Sequence, residues 1–226
     1  MTSASTAVAA VAVDDLPRRA SRLSMAWGFC RRNPLGAIGA LVGIVMMIMA
    51  ASAELMTSYD PTANDFGAML TAPNMEHWLG TDQFGRDLFA RIVYGARTAL
   101  LVGFVSASVG ATLGLILGVA SAYFGGWFDL VFQRVMDVLM AYPLIILALA
   151  VVAIFGTGAT NVIIAITVPV IPRCARVVRS SALAIRETPY IDAARAGGFS
   201  HWRIILWHMI PNVMAPYLIV MTATVG

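Results

Sequence analysis

The chain has 226 residues, of which 59% are hydrophobic and 12% are charged, and its formal net charge is +3. Soluble domains contain about 45–50% apolar and about 25% charged residues, so this composition excludes a soluble globular protein. It also excludes a disordered chain, because disorder requires low hydrophobicity and high charge. The composition therefore indicates a protein that lies in a lipid bilayer.

Five apolar runs approach the length of about 20 residues that a helix needs to cross the hydrocarbon core. They are residues 35–53, 99–123, 138–155, 156–175, and a fifth run from Met209 to Gly226. The fourth run ends among Pro169, Pro172 and Arg173, but intramembrane proline is tolerated and a terminal arginine can reach the interface. We therefore predict an all-α polytopic membrane protein. Since the fifth run is still apolar at its last residue, we also expect the chain to be a fragment.

Arginines flank the apolar runs unevenly, and this asymmetry predicts an orientation. Residues 1–34 carry five arginines and two aspartates, whereas residues 54–98 carry three arginines and six carboxylates. Their net charges of +3 and −3 predict a cytosolic amino terminus. Counting spans then places residues 124–137 and 176–208 in the cytosol and a turn near Thr157 outside. The second of these stretches carries five arginines and two acidic residues, in agreement with the count.

A ridge of small residues lies along the second apolar run. Its members recur at every fourth position, and they are Ser106, Gly110, Gly114, Gly118 and Ala122. Because the ridge has almost no side chains, another helix can approach it at backbone distance, as membrane helices do when they pack. We interpret the ridge as a packing surface for a helix of this chain or of a partner, with a flexible gate as the alternative.

Two features flank the third run. Arg134 and Asp137 are three residues apart, so on a helix they can face one another, and we expect a solvated ion pair. Pro143 lies near the cytosolic entry of the run, where we expect it to loosen the helix. Neither feature by itself indicates a function.

No set of catalytic or metal-binding residues emerges from the sequence. The histidines His77, His201 and His208 lie outside the apolar runs, and the motifs HExxH, GxSxG and GxxxxGK[ST] do not occur. Cys30 and Cys174 lack the spacing of a zinc site or of a disulfide framework. Enzymes that act inside the membrane carry ionisable residues in their spans, and these spans are nearly free of them. We therefore expect no catalytic residue, metal or cofactor.

The stretch between the fourth and fifth runs contains signals for two short helices. Pro189 can begin a helix, the alanines around Ala193 favour it, and the pair Gly197 and Gly198 ends it. Ser200 can then cap a second helix. We expect Gly198 to adopt a positive φ, because glycine pays no steric penalty there. A short helix of small residues in a connection is suited to the groove of another protein.

The sequence DAARAGGFSHWRIILWHMIPN, residues 192–212, resembles the cytosolic coupling motif of type I ABC-importer permeases. That motif reads Glu-Ala-Ala, three residues, Gly, and later an apolar residue followed by Leu-Pro. Asp192 keeps the charge of the glutamate but not its length, and Ile210 replaces the leucine. The matching positions are Ala193, Ala194, Gly198 and Pro211.

Three further stretches are similar to the inner-membrane permeases of dipeptide and oligopeptide importers, the peptide/nickel branch of this class. They are RRNPLGAIGALVG (residues 31–43), HWLGTDQFGRDLFARIVYGAR (residues 77–97) and AYFGGWFD (residues 122–129). Together with the coupling motif, the resemblance covers residues 27–226, which is nearly the whole chain.

The resemblance implies a type I ABC-importer permease fold with six spans, of which this chain would have about five and lack the sixth. Residues 1–34 would form a cytosolic arm, residues 35–98 the first span and its periplasmic connection, and residues 99–226 the permease core. A coupling segment would occupy residues 189–208. The residues implied to couple the chain to an ATPase are Tyr190, Asp192, Ala193, Ala194, Gly198 and Pro211.

The implied protein is a subunit of an ATP-driven importer in the bacterial inner membrane. Its partners would be a second permease subunit, two cytosolic ATPase subunits, a periplasmic solute-binding protein and the lipid bilayer, and no nucleic acid is implied. ATP would bind to the ATPase subunits, so this chain would carry no cofactor. The implied cargo is a dipeptide or oligopeptide, with nickel or another small solute as the alternative. A membrane enzyme or a receptor that transports nothing is a third interpretation.

Overall fold

The computed structural model describes Gly28 and residues 30–225, apart from the side chains of Leu144 and Val225. Most of the expected cytosolic arm, residues 1–34, therefore lies outside the described residues. Within the described part the chain forms helices joined by turns, without β-strands. This architecture agrees with the prediction of an all-α protein.

The helices are numbered here in chain order. Their bounds are α1 Pro34–Ala51, α2 Ala53–Met56, α3 Leu88–Phe124, α4 Gly126–Ala141, α5 Leu144–Phe155, α6 Ala159–Arg186, α7 Pro189–Ala196, α8 His201–Arg203 and α9 Met214–Val225. Between α8 and α9 the chain stays helical, first as a π-helix over Ile204–Met209 and then as a 3₁₀-helix over Ile210–Val213. Four helical stretches of the described chain are long and apolar enough to cross a membrane, or five if the bent pair of α4 and α5 counts as one span.

Helix α3 is the longest element and includes the second predicted run. Its 37 residues extend for roughly 55 Å at about 1.5 Å per residue, well beyond a hydrocarbon core of about 30 Å. The helix begins at Leu88 because the Asp87 carboxylate accepts a hydrogen bond from the Ala90 amide at 2.7 Å and caps it. Charged residues such as Arg91 interrupt the apolar pattern there, so hydropathy predicted a start at residue 99.

Residues 57–87, which we call the head, precede α3 and are held by turns of the sequence LGTDQFGRD. The Asp82 carboxylate accepts hydrogen bonds from the amides of Phe84 and Arg86 and from the Arg86 side chain, at 2.8–3.0 Å. Partial burial raises the pKa of Asp82, but these hydrogen bonds and the guanidinium charge bring that pKa below its ordinary value. Gly85 has φ 74°, and a Cβ atom there would lie 1.6 Å from the Asp65 carbonyl oxygen. This sequence therefore stabilises the head.

The small-residue ridge of α3 lies against α6 of the same chain. All five ridge residues are buried. A Cβ atom added at Gly114 would lie 2.6 Å from Cys174 Cβ, and one added at Gly118 would lie 2.6 Å from the Ala175 carbonyl oxygen. We call this contact, between the ridge and the α6 residues opposite it, the α3–α6 seam. The two backbones approach so closely that any side chain in place of these glycines would overlap the other helix.

The third predicted run, residues 138–155, does not form one helix, so this prediction is wrong. Helix α4 ends at Ala141, and both Tyr142 and Pro143 are extended, with ψ 134°. Helix α5 then continues at 93° to α4. The proline is the reason, because it has no amide hydrogen to donate and disfavours the α conformation of the residue before it. The expected loosening at Pro143 is thus a complete break.

The fourth predicted run ends too early. Helix α6 continues through Pro169, Pro172 and Arg173 to Arg186, whereas the prediction ended at residue 175. Each proline removes one hydrogen-bond donor from the helix, but a membrane helix that packs against a neighbour tolerates the loss. The first residues of the stretch predicted to be a cytosolic connection therefore belong to α6.

Two ion pairs attach α4 to α6. The Asp129 carboxylate accepts a hydrogen bond from Arg179 Nε at 2.6 Å, and Asp137 pairs with Arg176 at 2.6 Å. The predicted pair of Arg134 and Asp137 also forms, but its atoms are 3.9 Å apart. Asp137 is therefore held mainly by α6, and the two ion pairs fix α4 to the second half of α6.

Substitution of Gly114 by leucine is expected to open the α3–α6 seam. Overpacking costs about 1–3 kcal/mol, so the unfolding midpoint of the detergent-purified protein should fall by roughly 2–12 °C. Gly95→Leu is the matched control, because Gly95 is an exposed glycine of α3 at which a Cβ atom meets nothing within 4 Å. Equal midpoints for the two variants would show that the seam tolerates side chains.

Candidate functional site

The chain after α6 folds back onto the other helices as a short helix with two different faces. Helix α7 begins at Pro189, whose fixed φ suits the first helical position. Ile191 is 0% exposed and Ala194 is 6% exposed, and both join a buried cluster that also contains residues of α3 and α6. The outer face of α7 exposes Tyr190, Asp192 and Ala193.

Glycine closes α7 with a sharp turn. Gly198 has φ 73°, as predicted. Its amide bonds to the Arg195 carbonyl at 3.0 Å, and the Phe199 amide bonds to the Ala194 carbonyl at 3.2 Å. This pair of bonds is a Schellman motif, which satisfies the last carbonyls of the helix. The Ser200 side chain then caps α8, also as predicted.

Two tyrosine–histidine pairs attach this segment to its surroundings. The Tyr123 hydroxyl, at the end of α3, forms a hydrogen bond with His201 Nδ1 of α8 at 2.8 Å. The Tyr190 hydroxyl of α7 forms a second hydrogen bond, with His208 Nδ1. The segment is therefore fixed to the membrane helices and to the chain that follows it.

Helical geometry changes twice between α8 and α9, within residues 204–213, which we call the irregular stretch. The Ile210 amide bonds to the Ile205 carbonyl, five residues back, as in a π-helix. Pro211 follows, and it cannot donate a hydrogen bond to the preceding turn. Such π-helical turns are frequent at functional sites.

The structure separates the six residues that the resemblance assigned to coupling. The exposed ones on α7 or its closing turn are Tyr190, Asp192, Ala193 and Gly198. Ala194 is buried, because it lies three residues after Ile191 and shares the inner face of the helix. It therefore cannot contact a protein docked on the outer face. Pro211 is exposed but lies in the irregular stretch, outside α7.

Aromatic side chains beside this set were not singled out in the sequence. Trp202 is 67% exposed and Trp207 is 75% exposed. A hollow is lined by Phe199, Arg203, Trp207 and His208, and the Arg203 guanidinium lies 4.3 Å from the centroid of the Phe199 ring. Exposed tryptophan and arginine are typical anchors of protein interfaces. Their concentration over so short a stretch was the signal that could have identified them.

The other polar groups singled out in the sequence contribute to the fold. Among the residues that the structure describes, no three His, Cys, Asp or Glu side chains are placed to share a metal ion. His77 Nδ1 lies 2.9 Å from an Asp87 carboxylate oxygen in the head. Cys174 lies in the seam and donates a hydrogen bond to the Ala111 carbonyl at 3.3 Å. The exposed surface of α7 and its closing turn remains the candidate site.

Two known families match the chain. The family described as binding-protein-dependent transport system inner membrane component matches residues 110–226, from the seam through α9. The family described as the N-terminal TM domain of oligopeptide transport permease C matches residues 21–73.

Curated relatives are named as transport permeases. A peptide transport system permease protein of Brucella suis is 45% identical over 185 residues, which are 82% of this chain and 62% of the relative. The dipeptide transport system permease protein DppC of Alkalihalophilus pseudofirmus is 40% identical over 196 residues, 87% of this chain and 64% of the relative. The glutathione transport system permease protein GsiD of Pectobacterium atrosepticum is 36% identical over 199 residues, 88% of this chain and 66% of the relative.

The chain thus spans 62–66% of the length of these three relatives. Permeases are membrane subunits without catalytic activity of their own, so the chain is not itself an enzyme. The apolar helices, the seam and the family match over residues 110–226 agree with one another. This multi-pass membrane protein therefore belongs to the family of binding-protein-dependent transport system inner membrane components, and within it resembles the permeases of peptide ABC importers.

Proposed function

We propose that this chain is the permease subunit of an ATP-driven importer that moves dipeptides or oligopeptides across the bacterial inner membrane. A periplasmic binding protein delivers the cargo, two cytosolic ATPase subunits supply the energy, and a second permease subunit completes the pathway. The observation that carries the proposal is the two-faced helix α7. Its inner residues Ile191 and Ala194 are buried, whereas Tyr190 and Asp192 are exposed on the outer face.

The contacts beneath α7 support a mechanical role for residues 190–203. Ile191 shares a buried cluster with Val119 of α3 and Val178 of α6, so a displacement of α7 reaches both helices of the seam. The hydrogen bond between Tyr123 and His201 provides a second connection to α3. A partner that moves α7 would therefore move helices that cross the membrane.

The partner subunits and the lipid bilayer provide the ATP-binding sites and the apolar neighbours that this chain does not itself provide. ATP binds to the ATPase subunits, so the permease needs no cofactor of its own, and nucleic acid has no role. Helices α1 and α5 expose large apolar side chains, for example Leu35 at 84% and Ile154 at 77%. Lipid and the second permease subunit are suitable neighbours for such surfaces.

The proposed orientation has the amino terminus in the cytosol. Arg186 donates a hydrogen bond to the Ala122 carbonyl at 2.9 Å, so the end of α6 lies beside the end of α3. Residues 176–208, with net charge +3, thus lie toward one end of α3, while the head, which ends at Asp87, adjoins the opposite end of that helix. This separation of charge supports the orientation through the positive-inside rule.

The cargo is argued from the relatives. Their names refer to peptide, dipeptide and glutathione transport, which favours a peptide over a metal ion. The same architecture could import nickel or another small solute, and this is the alternative cargo.

Uptake by the assembled transporter tests the proposal. The full-length protein is reconstituted with its second permease and ATPase subunits in proteoliposomes, with ATP on the ATPase side and binding protein on the other. We expect accumulation of a labelled dipeptide and stimulation of ATP hydrolysis by the loaded binding protein. Accumulation of nickel instead would favour the alternative cargo. Failure to co-purify with any ATPase would contradict transport and favour a receptor or enzyme.

Gly198→Val is expected to insert normally yet lose both dipeptide uptake and stimulated ATP hydrolysis, by about tenfold or more. The left-handed conformation costs a residue with a Cβ atom about 1–2 kcal/mol, and a β-branched residue there redirects the chain from Phe199 onward. Gly198→Asn is the matched control, because asparagine tolerates this conformation. Asp192→Ala should have a milder effect, because an exposed ion pair contributes only about 0–1 kcal/mol. If Gly198→Val couples as well as the parent, α7 is not the coupling element.

The orientation is tested with two matched alanine-to-cysteine variants. Cys30 and Cys174 are first replaced, and single cysteines are then introduced at Ala63 in the head and at Ala196 at the end of α7, both of which are exposed. An impermeant thiol reagent added to intact spheroplasts should label Ala63→Cys only, and lysis should make Ala196→Cys reactive. Labelling of Ala196→Cys in intact spheroplasts would show that the orientation is the reverse of the one proposed.

A further inference from the structure

Arg173 is the first charged residue along α6. It lies 14 residues after Ala159 and 13 residues before Arg186, so both ends of the helix are about 20 Å away at about 1.5 Å per residue. The residue is exposed, and no other charged residue lies between Ala159 and Ala175. Because residues 176–208 are proposed to lie on the cytosolic side, Arg173 lies within one turn of the cytosolic end of the membrane-spanning part of α6, where a long charged side chain can reach the interface or a cavity between helices.

The next two arginines of α6 already have partners on α4. Arg176 pairs with Asp137, and Arg179 pairs with Asp129. Among the described residues, no carboxylate lies within 4.0 Å of the Arg173 guanidinium. Arg173 is therefore the member of this row that can bind an added anion without breaking an ion pair of the fold.

A hollow adjoins Arg173, and its lining combines this cation with aromatic and apolar side chains. The other lining residues are Leu139, Met140, Tyr142 and Pro169. The hollow lies beside the break between α4 and α5 at Pro143 and against the stretch of α6 that contains Pro169 and Pro172, which stays helical. Each proline of α6 leaves a carbonyl of the preceding turn without its helical donor. Membrane transporters form substrate sites at breaks such as the one between α4 and α5.

We propose that Arg173 binds the carboxylate of the peptide cargo in this hollow, an inference that rests on the proposed import of peptides. A guanidinium donates two parallel hydrogen bonds to a carboxylate, which makes arginine the preferred side chain for this recognition. Linear peptides share a terminal carboxylate whatever their side chains. Leu139 and Met140 line the hollow with apolar surface against which those side chains can pack. The same positive charge repels Ni²⁺ and other cations. The site therefore selects an anionic group and disfavours the metal alternative.

The test uses two labelled probes that differ in the carboxylate, alanyl-alanine and its C-terminal amide. Uptake by the reconstituted transporter is measured for both, at concentrations that saturate the binding protein. The ratio of acid uptake to amide uptake is then compared between variants. Because every variant receives the same binding protein, the preference of that protein cancels from the comparison.

Arg173→Gln is expected to lower the acid-to-amide ratio by about tenfold, the effect of removing one charged hydrogen-bonding partner. Arg173→Lys should retain part of the preference, because the charge remains and the second hydrogen bond is lost. Arg134→Gln is the matched control. Its side chain is 78% exposed on α4, and we expect the parent ratio for this variant.

Three outcomes would overturn the inference. An unchanged ratio in Arg173→Gln, with normal uptake, would mean that the guanidinium does not bind the cargo carboxylate. A loss of co-purification with the second permease subunit, with the ratio preserved in the complex that remains, would mean that it pairs with a carboxylate of that subunit. If the parent transports neither probe, the proposed function itself fails, which distinguishes this result from the first two.

Discussion

Helices α3 and α6 approach until a Cβ atom at Gly114 would lie 2.6 Å from Cys174 Cβ, and the rest of the described structure depends on this contact. Lipid is as apolar as leucine, so burial of apolar side chains does not drive helices together in a bilayer, and close packing must do so. The ridge permits that packing. The elements at the end of the seam then assemble on it: α4 through Asp129 and Asp137, and α7 through Ile191.

Features with a local cause were predictable from the sequence, and features set by neighbouring helices were not. The positive φ of Gly198 and the cap at Ser200 follow from short-range backbone chemistry, and both predictions are confirmed. Hydropathy identified the apolar runs but not the ends of the helices, because the Asp87 cap begins α3 among charged residues and α6 continues through two prolines. The inward position of Ala194 depends on how α7 packs against the other helices, and a sequence motif carries no information about that packing.

The arginines of α6 differ in their contacts although they are close in sequence. Arg176 and Arg179 hold α4 in place, and their carboxylate partners balance their charge inside the chain. Arg173, one turn nearer the middle of the helix, has no such partner among the described residues, and it faces a hollow at the helix breaks. Sequence alone ranked it as a residue at the end of a span. The structure adds that a hollow beside the break between α4 and α5 adjoins this residue.

The seam also has a consequence for the order in which the chain assembles during synthesis. Gly110 and Gly114 each meet residues 60 positions later, Val170 and Cys174. At about 5–20 residues per second, a ribosome needs roughly 3–12 s to make that intervening chain. Throughout this interval the glycine surface of α3 lacks its partner helix, while α4 and α5 are already being synthesised. During this time it is exposed to association with the wrong helix. A slowly translated α6 would lengthen that vulnerable period even though the finished protein would be identical.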